Sequence, residues 1–208
     1  MKCIICFSDI QNGVSIFKYF TKPDIICAKC RNRFNIACKD IKTDDFSIYA
    51  LYYYNDFLED LFFTYKEGRD IALFNIFLHP YVSKLNRKYK GYTLYFVPSS
   101  ELKTKDRGFN ALEMMFSELK LNKRQAFIKT SNYKQSEQDY SKRKNVEKHL
   151  KLVNYDLNDK VLLVDDMCTS GASVKCCYSL LKDAGFKEIA VFCIAINYKL
   201  DYEVNRVK

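Results

Sequence analysis

Two adjacent carboxylates, Asp165 and Asp166, close the apolar run VLLV at residues 161–164. Acids at the end of a buried strand are costly unless something pairs with them, and vicinal sugar hydroxyls or Mg2+ would suit. Shortly after them stand Thr169, Ser170, Gly171, Ala172 and Ser173, small residues whose backbone amides and hydroxyls can close around a phosphate. A helix predicted over residues 173–184 would present its N-terminal amides and positive dipole end to the same anion. A diol-binding pair and a phosphate cradle thus follow one another in the order that a ribose 5-phosphate needs. Each part taken alone is also what an ordinary strand-turn-helix connection contains.

A second set of chemically apt residues lies at the other end of the chain. Cys3 and Cys6 are two residues apart, as are Cys27 and Cys30, and twenty residues separate the pairs. Two such turns point four thiolates at one centre, the spacing of a closed tetrahedral Zn2+ site with a structural role. The intervening stretch reads as a hairpin turning at Asn12 and Gly13, too small to fold on a core of its own, so zinc would supply its stability. Cys38, Cys168, Cys176, Cys177 and Cys193 have no partner at ligand spacing and read as core or loop thiols. His79 and His149 likewise read as structural.

The elements that must position these residues follow from periodicity. A charged linker is predicted at residues 39–45, then a strand at 46–54, a helix at 56–65 capped by Asn55 and ended by Gly68, and a second amphipathic helix at 69–86 bent at Pro80. From residue 92 the pattern alternates. Strands are predicted at 92–97, 125–129, 161–164 and 189–196, with helices at 109–120, 136–150 and 173–184. Such alternation implies a parallel sheet with crossover helices, and ligands of such sheets bind beyond the carboxyl ends of the strands. The acid pair falls there.

Residues 161–173, VLLVDDMCTSGAS, resemble the phosphoribosyl pyrophosphate (PRPP) signature of type I phosphoribosyltransferases. The resemblance implies that Asp165 and Asp166 contact the ribose hydroxyls, that Thr169 to Ser173 hold the 5-phosphate, and that Mg2+ accompanies PRPP. It also implies that the loop after the strand YFVPSS, with Ser99 and Ser100, meets the pyrophosphate. Arg107, in KDRGFN, would pair with the diphosphate, which a planar guanidinium suits. Asp165, Asp166 and Arg107 are therefore the candidate catalytic residues. Taken in order, the four cysteines, FLEDLFFTYKEGRDIA, VPSS, RGFN, a basic segment with Asn145 and the PRPP loop resemble the ComF family. That resemblance implies an α/β fold: a type I phosphoribosyltransferase-like parallel sheet flanked by helices, with a small N-terminal four-cysteine zinc finger. It places the finger at residues 1–40 and the phosphoribosyltransferase-like domain at 46–208. It further implies a role in DNA uptake during natural transformation, handling single-stranded DNA in the cytoplasm beside a helicase-like or recombination protein.

Charge agrees with an anionic partner. The formal net charge is +9, and residues 84–160 hold 18 Lys and Arg against 9 Asp and Glu, while the remainder balances. Lys123, Arg124, Lys142, Arg143 and Lys144, interleaved with Phe127, Tyr133 and Tyr140, combine cations for phosphates with aromatics for base stacking, as single-strand binders do. The same segment would serve equally as a basic lid over PRPP. No signal-peptide pattern is present, and no apolar stretch approaches the roughly 18 residues of a membrane span, so a cytoplasmic location without membrane insertion is expected. Two functions fit: a transferase moving ribose 5-phosphate from PRPP to a nitrogenous acceptor, or a binding protein that holds PRPP while it contacts DNA. No base-reading residues are evident, which favours the second.

Overall fold

The computed structural model describes residues 1–10, 24–129 and 150–198. Its centre is a six-stranded sheet built from β1 (Asn35–Lys42), β2 (Ser47–Tyr53), β3 (Tyr92–Phe96), β4 (Asn122–Arg124), β7 (Lys160–Cys168) and β8 (Ile189–Ile196). The order across the sheet is β1-β2-β8-β7-β3-β4, parallel throughout except for β1, which pairs antiparallel with β2 at one edge. A separate two-stranded ribbon joins β5 (Phe127–Lys129) to β6 (Leu150–Leu152). The α/β class and the mostly parallel sheet are as the alternating pattern predicts.

Strand β7 is covered on both faces, which is why its first half is apolar without alternation. Leu162 and Val164 belong to the core that includes Leu58, Leu61 and Phe62 of α2 (Asp56–Lys66). Val161 and Leu163 belong to the other core, with Val174, Cys177 and Leu181 of α6 (Ala172–Asp183). Helix α2 starts as predicted, with the Asn55 side chain accepting from the Leu58 N–H at 3.0 Å.

Several elements differ from the periodicity. Residues 39–42 are not linker but the end of β1, whose charged Lys39 and Asp40 are tolerated because an edge strand leaves its outward groups in water. The amphipathic stretch at 69–86 is not one helix. It forms two 3-10 turns, Ile71–Leu73 and His79–Tyr81, followed by α3 (Val82–Lys88). Asp70 starts the first by accepting from the Ala72 N–H, and Pro80 sits in the second. Between them Ile76, Phe77 and Leu78 are all buried, so no single apolar stripe exists there. Helix α4 (Glu101–Arg107) buries no apolar side chain and therefore carries no periodic signal. The helix predicted at 109–120 shortens to α5 (Ala111–Met115), and most of that predicted at 136–150 lies outside the described residues.

The N-terminal cysteine turns pack onto the sheet. Cys3, Ile26, Cys30 and Phe34 share a continuous core with Tyr52, Phe57 and Leu58. Phe34 meets the Tyr52 ring at 4.9 Å and the Phe57 ring at 5.3 Å, while the Arg33 guanidinium lies 3.9 Å over Phe57. Among the described residues, no helix is long and apolar enough to cross a membrane.

Candidate functional site

The sheet opens where the acids begin. β3 and β7 stay paired as far as Phe96 and Val164, and the Val97 N–H still reaches the Val164 carbonyl at 3.0 Å. Beyond that point β3 turns away through Pro98, Ser99 and Ser100 into α4. β7 instead continues beside β8 to Cys168 opposite Ile196. Asp165 and Asp166 thus stand where β3 has left β7, at the carboxyl end of the parallel strands.

Strand alternation sends the two carboxylates to opposite faces. Asp165 turns towards the layer holding Cys168, Cys177 and Cys193, and its Oδ1 accepts the Asp166 backbone N–H at 2.9 Å. Burial, reinforced by the Asp166 charge, holds the Asp165 carboxyl well above the usual carboxylate range. Asp166 turns towards α2, where Lys66 Nζ pairs with its Oδ2. Both side chains are mostly enclosed, at 19% and 18% exposure.

The raised carboxyl of Asp165 gives a stability prediction. Folding raises this pKa, so the associated stability is fully present below the unfolded value near pH 4 and is lost as pH rises through the folded value. Asp165→Asn keeps the acceptor oxygen and removes the charge. It is expected to raise Tm at pH 8 by about 2–4 °C for each kcal/mol relieved, with the gain vanishing near pH 4. Melts at the two pH values check this; an equal shift at both would exclude charge as the cause.

Past the acids the chain turns through exposed Thr169 and Ser170 into Gly171, whose φ of 70° lies in the left-handed region that glycine adopts without strain. A Cβ at Gly171 would meet the Cys168 Sγ at 3.5 Å. α6 begins at once, and no side chain caps it. The amides of its first turn are thus left for water or an anion. Ala172 and Ser173 form that turn, both half-buried.

Ser100 forms the N-cap of α4 through its carbonyl, which accepts from the Thr104 N–H at 3.0 Å, and its side chain makes no cap bond. Arg107 ends that helix. Its guanidinium pairs with Glu67 at 2.5 Å and is buried at 8% exposure. Tyr65 lies near both charged centres, since the Asp166 charge raises and the Arg107 charge lowers its pKa, with burial the larger cause holding it high. Residue type alone gives Lys66 and Glu67 no role. In sequence they are a lysine and a glutamate at a helix end; only the fold brings them to Asp166 and Arg107.

The cysteine turns converge as their spacing predicts. The four Sγ atoms of Cys3, Cys6, Cys27 and Cys30 lie within 4.8 Å of one another. Zn–S bonds of about 2.3 Å in a tetrahedron require S–S edges of about 3.8 Å, and Cys6 and Cys27 already stand 3.6 Å apart. The Ser8 hydroxyl and amide beside Cys6 draw its thiol down to about 6, while burial raises that of Cys30. The residues present fit a structural zinc ion.

Of the basic candidates, Lys123 donates to the Leu119 carbonyl at 3.1 Å and Arg124 Nε to Asp159 at 3.1 Å. Asp159 also accepts from Thr93 and Tyr95, so Arg124 closes a polar cluster at the opposite end of β3 from the acids. Lys142, Arg143 and Lys144 lie outside the described residues, as does His149. His79 faces Glu118 at 3.9 Å.

No family model matches the chain. Among curated proteins it is 28% identical over a 219-position alignment to Competence protein ComFC of Streptococcus pneumoniae, covering 93% of this chain and 99% of the relative. The chain is thus similar to a competence protein along nearly its whole length. Competence protein ComFC of Bacillus subtilis is 24% identical over 208 positions, covering 83% of this chain and 85% of the relative.

Proposed function

We propose that this protein acts in competence-related DNA uptake, binding PRPP where β3 leaves β7 and contacting single-stranded DNA through its basic middle segment. The observation that carries the PRPP reading is the junction itself. Two carboxylates, a left-handed glycine and the uncapped start of α6 follow one another within eight residues, Asp165 to Ala172, at the mouth of the opened sheet. The ribose hydroxyls would donate to the strand-end carboxylates, and the 5-phosphate would take the amides of residues 169–173 with the dipole of α6. Ser99, Ser100 and Arg107 would meet the diphosphate. Among the described residues only the four cysteines gather three or more metal-ligating side chains. A magnesium ion would therefore be held mainly through the ligand's own oxygens, as its reluctance to shed water favours, and would neutralise the diphosphate.

The DNA part rests on the relatives' competence name and on the charge surplus of residues 84–160. Lys123 and Arg124 are engaged internally, so this reading assigns the phosphate contacts to Lys142, Arg143 and Lys144. Binding through them would weaken steeply with salt.

Isothermal titration with PRPP and Mg2+ tests the ligand. Wild type is expected to give heat that Asp165→Asn with Asp166→Asn removes, with affinity falling at least about tenfold, the loss of one charge-assisted contact. Heat unchanged in the double variant would sink the assignment. Following pyrophosphate release from PRPP with and without single-stranded DNA then separates transfer from holding: release marks a phosphoribosyltransferase, and its absence leaves a binding protein.

A further inference from the structure

Arg107 and Glu67 form an asymmetric pair. The cation is almost fully enclosed at 8% exposure, whereas the carboxylate that neutralises it is 43% exposed. A guanidinium carries five N–H donors, and here Nε is buried without a hydrogen-bond partner among the described residues. A buried cation left under-satisfied is expensive, and a single half-exposed carboxylate is a poor reason for the fold to keep it. Glu67 can swing into water at little desolvation cost; Arg107 cannot.

The segments on either side of the pair are themselves tied down. The Tyr65 hydroxyl donates to the Ala111 carbonyl at 2.9 Å, a buried bond tying α2 to the segment just beyond α4. Glu67 itself sits on a fixed turn, its N–H on the Phe63 carbonyl at 2.7 Å. Gly68 follows, where a Cβ would strike the Thr64 carbonyl oxygen at 2.6 Å. Lys66, one residue earlier, is on Asp166. The end of α2 thus places one charge on the acid pair and the opposite charge on the arginine.

We infer that Glu67 is an internal stand-in for the ligand's diphosphate, holding Arg107 in the ligand-free protein and yielding it when a diphosphate arrives. The inference rests on the PRPP reading of this site and adds its regulation: ligand binding includes an exchange of one anion for another on Arg107. A diphosphate presents two oxygens to the guanidinium edge and reaches the donor that Glu67 leaves unmet. Removing the competing charge should therefore tighten binding of the anionic group alone. A charged acceptor holds a donor more strongly than a neutral one by about 1 kcal/mol, which corresponds to roughly fivefold in affinity.

The test uses the full chain and three probes: inorganic pyrophosphate, ribose 5-phosphate, and PRPP with Mg2+. Glu67→Gln is expected to bind pyrophosphate and PRPP about fivefold tighter with ribose 5-phosphate unchanged, and the gain should disappear when Arg107→Gln is added. If ribose 5-phosphate still binds but Glu67→Gln leaves pyrophosphate affinity unchanged or weaker while lowering Tm, the pair is structural and the inference is overturned. If ribose 5-phosphate does not bind wild type while the pyrophosphate gain persists, the acid-pair reading fails and the exchange stands. Binding of none of the three overturns both.

Discussion

Stripping the metal from the four-cysteine cluster is expected to cost more than any single side-chain change elsewhere. Purified protein should carry about one zinc per chain, and Cys30→Ser should reduce that to well under one. Apparent zinc binding energies of about 10–16 kcal/mol in small fingers are folding energies, because the site does not exist in the unfolded chain. Here the effect would spread, since Cys3 and Cys30 are 0% and 3% exposed within the core that also holds Tyr52, Phe57 and Leu58. Loss of the metal would uncouple Phe34 from its contacts with Tyr52 and Phe57 and leave Ile26 in water. A fall in Tm of at least about 10 °C is expected, from several kcal/mol at 2–4 °C each. Cys38→Ser, outside the cluster, is the control and should keep both zinc and Tm. Metal analysis and paired melts decide the matter; full-stability protein without metal would remove zinc from the account.

The cluster was legible because its information is local. A CxxC turn fixes its own two sulfurs, and only the meeting of the turns depends on the fold. The acid pair was legible for the same reason: an apolar strand, two acids, a glycine and a helix are contiguous, and the structure keeps them contiguous at β7, Gly171 and α6. What stayed hidden depends on sequence-distant partners or on elements without a buried stripe. Lys66 and Asp166 are a hundred positions apart, and a lysine in the last turn of a helix reads as a favourable end charge whatever it faces. α4 buries no apolar side chain, with Leu102 76% exposed, so periodicity has nothing to register. Strand β1 carries Lys39 and Asp40 at an edge, where charge deters further pairing and disguises the strand as linker. The stretch at 69–86 failed differently. Phe77 stacks on Phe62 at 4.8 Å and its carbonyl accepts the Tyr52 hydroxyl at 3.0 Å, so tertiary contacts on several sides outweigh helix propensity.

The hidden lysine carries the second large effect. Lys66→Met keeps the length and apolar stem that lies near the Phe62 ring but leaves Asp166 without its cation, next to the already strained ionisation of Asp165. Removing one partner of a mostly enclosed pair costs about 3 kcal/mol, because the remaining charge is stranded, which is roughly 6–12 °C in Tm for a chain of this size. Adding Asp166→Asn should recover most of that loss, since a neutral pair of similar shape needs no counter-charge. The double-mutant cycle read by denaturant unfolding measures the coupling directly. Additive effects below about 0.5 kcal/mol would mean a screened surface contact. A strong coupling has a consequence for the ligand site. The acid pair would then already be neutralised by the protein before anything binds, Asp166 through Lys66 and Asp165 through its reluctance to ionise. A sugar could donate its hydroxyls there without first having to bring a metal ion to the carboxylates.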